Sequence, residues 1–141
     1  MSNLVLVVDS SIIIKWLSQD NEQYLDTSDK ILREAQNESV ILIAPELAKY
    51  EVGNVLLLSK HLTPSQSVIA LNQFYNLPIK FIAESEESAQ ETFTLAYVLG
   101  ITYYDASFMS LTKQYNATLV TDNVKHQGKD PKIKVISLRD Y

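Results

Sequence analysis

The chain has 141 residues, 46% hydrophobic and 21% charged, with no cysteine and a formal net charge of −5. That length makes one domain with a sizeable core, here expected to span residues 1–141. The missing cysteines exclude disulfide and thiolate-metal chemistry, and the acid excess argues against a nucleic-acid binder that relies on lysine and arginine alone.

No apolar run approaches the ~18 residues needed to span a bilayer. The amino terminus lacks the basic stretch of a signal peptide, so a cytoplasmic protein is expected, with no membrane partner. In chain order, Leu4 to Val8 is solidly apolar, as a strand covered on both faces should be. Asp9 ends it, and a helical pattern runs from about Ser11 to Leu17. A second helix follows from Tyr24 to Gln36, then a strand from Val40 to Ile43. Pro45 introduces a helix from Glu46 to Lys60. Thr63-Pro64 reads as a cap and first-turn proline for a helix from Pro64 to Tyr75. A strand from Ile79 to Ile82 precedes a helix from Glu86 to Leu99, which Gly100 closes in the left-handed conformation. The last elements are a helix from Tyr104 to Tyr115 and strands from Thr118 to Thr121 and Ile133 to Ile136. Alternation of β-branched strands with helices predicts an α/β fold with βαβ units around a parallel sheet. Gly53, Gly100 and Gly128 lie too far apart for a phosphate-cradling loop, which removes nucleotide-binding readings that need one.

Four acids stand out. Asp9 and Asp122 follow strands, at the end of a parallel sheet where ligand sites form, while Asp105 opens a helix. Glu51 falls on one helical stripe with Leu47, Val55 and Leu58, where a carboxylate is costly unless paired, protonated or bound to a cation. Each has a simpler local role: Asp9 as a helix cap, Asp105 in a capping box with Thr102, Asp122 and Asn123 as turn residues. Acids gathered at one sheet end repel one another unless a cation bridges them, and oxygen-only ligation suits Mg²⁺ or Mn²⁺. His61 and His126 have no zinc-ligand spacing. The chemistry expected is metal-dependent phosphoryl transfer or phosphodiester cleavage. Ser11 and Thr121 offer hydroxyls that would orient the acids, and the basic stretch containing Lys125, Lys129, Lys132, Lys134 and Arg139 follows closely enough to contact phosphates.

Four stretches, taken in order, resemble the PIN domain, the nuclease fold of VapC-type toxins. They are Val7-Val8-Asp9-Ser10-Ser11, Glu46 through Leu56 with Glu51 at the centre, Tyr104-Asp105-Ala106-Ser107-Phe108, and Leu119-Val120-Thr121-Asp122-Asn123. The resemblance implies a three-layer α/β/α fold with a central, mainly parallel five-stranded sheet in the order 3-2-1-4-5. It also implies ribonuclease activity, with Asp9, Glu51 and Asp105 binding Mg²⁺ or Mn²⁺ and Ser11 and Thr121 in support. The family often writes its fourth stretch as Thr, any residue, Asp; this chain has Asn123 there and Asp122 one place earlier. Either Asp122 turns into the site or Asn123 supplies a neutral ligand. The partners implied are an RNA substrate, a small antitoxin and a second copy of the chain. Two readings compete: a degenerate domain that binds RNA or a protein without cleaving, and a phosphatase of the haloacid dehalogenase type. The latter needs a second acid where Ser11 stands.

Overall fold

The computed structural model describes residues 4–141. Five strands, β1 (Leu4–Val8), β2 (Val40–Pro45), β3 (Ile79–Ile82), β4 (Thr118–Thr121) and β5 (Val135–Ser137), form one sheet in the order β3-β2-β1-β4-β5. All four pairings are parallel, so the mainly parallel sheet expected is wholly so. Helices α1 (Ser10–Leu17), α2 (Leu25–Gln36), α3 (Leu47–Leu58), α4 (Pro64–Tyr75), α5 (Glu86–Leu99), α6 (Tyr103–Gln114) and α7 (Val124–Gln127) complete the three-layer α/β/α architecture. None of these helices is long and apolar enough to cross a membrane, among the described residues.

β1 is central because its residues are apolar on both faces. Leu6, Val7 and Val8 are buried, each contributing roughly 1.5–3 kcal/mol by leaving water. Ile12, Ile13 and Ile14 of α1 and Phe108 and Met109 of α6 join the same core. Capping follows the local chemistry. Thr63 and Gln66 complete a capping box at α4, and Gly100 takes φ 65° to end α5.

Two local expectations need correction. The last strand begins at Val135 rather than Ile133: Lys132 N donates to Asp130 Oδ1 (2.9 Å) and Ile133 N to Asp130 O (3.1 Å), which holds this stretch in a turn. On α3 the buried stripe is Ala48, Val52 and Leu56, not Leu47, Glu51, Val55 and Leu58; Leu58 is exposed and Glu51 lies at the margin of the stripe. A short helix such as α7 gives too few turns for its periodicity to be read.

Candidate metal centre

The parallel sheet brings the ends of β1 and β4 side by side, and the site starts there. Asp9 N donates to Val120 O (3.1 Å), which carries the pairing one residue past β1 and fixes the Asp9 backbone. Asp9 stands at the N-cap of α1 but makes no side-chain capping bond. Its Oδ2 instead accepts from Ser11 Oγ (2.9 Å) and Thr121 Oγ1 (3.0 Å). Burial pushes the Asp9 carboxyl above its ordinary value; the two hydroxyls oppose this, and the charge of Asp105 adds to it.

Glu51 arrives from α3, where Oε1 accepts from Ser10 Oγ (2.8 Å). Burial also raises this carboxyl. Ser10 opposes the shift, and the charges of Asp9 and Asp105 reinforce it. Asp105 sits in the first turn of α6, its N donating to Thr102 Oγ1 (3.0 Å). Its Oδ1 accepts from Asn123 Nδ2 (3.4 Å), so the carboxylate faces Asn123 rather than its own helix cap. Three acids from three elements therefore repel one another across one space. Among the described residues, no lysine or arginine forms an ion pair with any of them.

The fourth stretch divides its two polar residues. Asn123 joins the acids, its N bonded to Thr121 Oγ1 (2.8 Å) and its amide to Asp105. Asp122 is turned the other way. Its N approaches Ser11 Oγ (3.4 Å), while Oδ2 pairs with Lys15 Nζ (3.0 Å). The expectation that Asp122 would serve as catalytic and metal-binding acid therefore meets a carboxylate already neutralised by lysine.

Sequence reasoning missed Lys15 itself. Its side chain is only 2% exposed and binds both Asp122 and Glu22 (3.0 Å each); Glu22 also binds Lys60 (2.7 Å). Burial alone would push the Lys15 ammonium down, but the two carboxylates hold it above its ordinary value. The available signal was a lysine inside the otherwise apolar run Ile12-Ile13-Ile14-Lys15-Trp16-Leu17. Ser10, the partner of Glu51, was missed too, because its role depends on a helix 41 positions away.

Among the described residues, no group of three or more histidines, cysteines, aspartates or glutamates is placed closely enough to hold a metal ion. The donor set nevertheless fits a hard divalent cation: it is all oxygen, uncompensated and half-open, and Mg²⁺ takes one or two carboxylates while keeping several waters.

The sequence matches the family model for the PIN domain over residues 6–129. No curated protein matches it. Solved structures do. VapBC2 from Rickettsia felis, bound to a DNA fragment from its promoter, is 19% identical with TM-score 0.73, covering 95% of this chain and 98% of that one. A toxin–antitoxin complex from Klebsiella pneumoniae is 15% identical with TM-score 0.64, covering 96% and 99%. VapC20 of Mycobacterium tuberculosis, a sarcin-ricin loop cleaving toxin, is 9% identical with TM-score 0.63, covering 81% and 86%. At these identities the likeness shows the shared fold.

Proposed function

The chain belongs to the PIN domain family, and from that premise we propose that it is a Mg²⁺- or Mn²⁺-dependent endoribonuclease, the toxin of a toxin–antitoxin pair. The observation that carries this reading is the mutual repulsion of Asp9, Glu51 and Asp105 with no protein cation among the described residues to relieve it. A divalent ion held by these three carboxylates would lower the pKa of a bound water and neutralise charge developing on the scissile phosphate. Ser11 and Thr121 hold the Asp9 carboxylate in one rotamer, and Ser10 does the same for Glu51. Glu51 is less buried than Asp9 and has a raised pKa, which suits it to accept the proton of the attacking water. Asn123 orients Asp105 through its amide and supplies a neutral position where the family often has an acid.

Exposed apolar faces support the expected partners. Phe93 and Tyr97, one turn apart on α5, and Tyr50 and Leu57 on α3 suit a second copy of the chain; Val68 and Ile69 on α4 suit a small antitoxin. The competing reading, a degenerate domain that binds RNA or a protein partner without cleaving, draws on Asn123 and on the acid excess of the chain.

The test is incubation of the chain, freed of any co-purifying partner, with a pool of structured RNAs and Mg²⁺ or Mn²⁺. Cleavage should require both the metal and Asp9. Wild-type rates in Asp9→Asn or Asp105→Asn would sink the assignment, and failure to cleave together with absent Mn²⁺ binding would favour the non-cleaving binder.

A further inference from the structure

At the carboxyl ends of the outer strands lies an open hollow of about 400 Å³, lined by Gln23, Tyr24, Asp122, Lys125, Ser137 and Arg139. Asp122 and Ser137 place it at the carboxyl ends of β4 and β5, the same end of the sheet as Asp9. Its charge differs from that of the rest of the chain. Asp122 would repel an anion, but Lys15 neutralises it; in the chain Asp122–Lys15–Glu22–Lys60 two acids match two bases. That leaves the cations of Lys125 and Arg139. Lys125 forms no salt bridge among the described residues, and both side chains are exposed. Among the described residues Arg139 pairs only with Asp140, at 3.5 Å, in a pair so exposed that water screens it. The guanidinium fork thus remains free to grip two phosphate oxygens. In its lining stands Tyr24, half-exposed and held at φ 57°, a left-handed backbone that costs a non-glycine residue of order 1 kcal/mol.

We propose that this hollow is the anchor for the RNA backbone on one flank of the scissile bond. Lys125 and Arg139 bind a flanking phosphate, and Tyr24 stacks on the adjoining nucleoside. In an acidic protein this would give a polyanion two cations to bind near the carboxylates, although the net charge is −5. Lys15 then has a second role, since removing its charge would return the negative charge of Asp122 to the hollow.

The proposal rests on the ribonuclease reading, and its test keeps the two apart. Fluorescence anisotropy would follow a labelled, unstructured oligouridylate ribonucleotide binding to the Asp9→Asn chain, which binds without cutting. Lys125→Ala, Arg139→Ala and Tyr24→Ala would be introduced singly, with Lys113→Ala as control. Lys113 is an exposed lysine in the last turn of α6, about 12 Å along the helix from Asp105 at ~1.5 Å per residue, at the opposite end of the sheet. Melting temperatures confirm that each variant is folded. The expected result is a three- to tenfold loss of affinity for each hollow variant and little change for the control. Each lost cation should flatten the slope of log affinity against log salt by ~0.7, the value per phosphate contact on a single strand. Binding that survives in the hollow variants as well as in the Lys113 variant overturns the anchor and leaves the ribonuclease reading standing. No binding by the parent overturns the anchor too, and the ribonuclease reading is then judged by the cleavage of structured RNA alone.

Discussion

Asp9, the first acid of the proposed metal site, is held at the expense of stability. Its carboxyl titrates higher in the folded chain than in the unfolded one, chiefly through burial. For an acid with a raised pKa, the protonated group costs nothing below the unfolded value, and stability falls as pH rises from there through the folded value. At pH 7 in chelator the fold therefore carries a carboxyl whose ionisation is opposed by burial, which lowers its stability. Asp9→Asn should melt about 3–4 °C higher under these conditions, the shift ~1 kcal/mol produces in a domain of this size, while losing RNA cleavage. Thermal melts between pH 4 and 8 check this, and an unchanged or lower melting temperature would contradict it. At Asn123, Asn123→Asp would set a fourth acid against Asp105 and should tighten Mn²⁺ about tenfold, ~1.4 kcal/mol, in a calorimetric titration. Asp9 was legible in the sequence because it ends an apolar strand, and Glu51 because it is a carboxylate among the apolar residues of a helix. Which of Asp122 and Asn123 turns inward was not, since that depends on Lys15, 107 positions earlier and sequestered in an apolar helix.

At the scale of elements, the network from α1 to the β4–α7 turn is the part that periodicity could not disclose. Lys15 binds Glu22 and Asp122 at once from a nearly inaccessible position, so Lys15→Met leaves two carboxylates without their cation and should destabilise the chain by ~3 kcal/mol. Glu22 supplies the pH signature. Burial raises its carboxyl, but Lys60 and Lys15 outweigh that and hold it below the ordinary value. The stabilisation is thus complete above the unfolded glutamate value and is lost as pH falls through the lower folded one. Lys15, held high, contributes below its unfolded value and loses that contribution above it at strongly alkaline pH. Denaturation curves at pH 7 and pH 3 should show the wild type losing its advantage over Lys15→Met at the acid end; a constant difference would refute the network's role. In α7, the fully buried amide of Gln127 makes no hydrogen bond among the described residues. Gln127→Met, similar in shape and apolar, should raise stability by ~1–3 kcal/mol in urea unfolding. The helix itself escaped prediction because four residues make barely one turn.

Across the whole molecule, strands of near-uniform apolar composition separated by capped helices made the parallel sheet and its layers readable, and the four motif stretches made the strand order so. What could not be read were the surfaces, because Phe93, Tyr97, Val68 and Ile69 look in sequence like core residues and are exposed in the fold. On the proposed reading, Asp9, Glu51 and Asp105 together form one divalent-cation site while Asp122 belongs to a structural ion pair. The most direct measurement is a Mn²⁺ calorimetric titration of the wild type beside Asp9→Asn, Asp105→Asn and Asp122→Asn. The account predicts one shared site that loses at least tenfold in affinity in the first two variants and changes little in the third. Binding that survives Asp9→Asn, or that disappears with Asp122→Asn while the other variants retain it, would contradict the account.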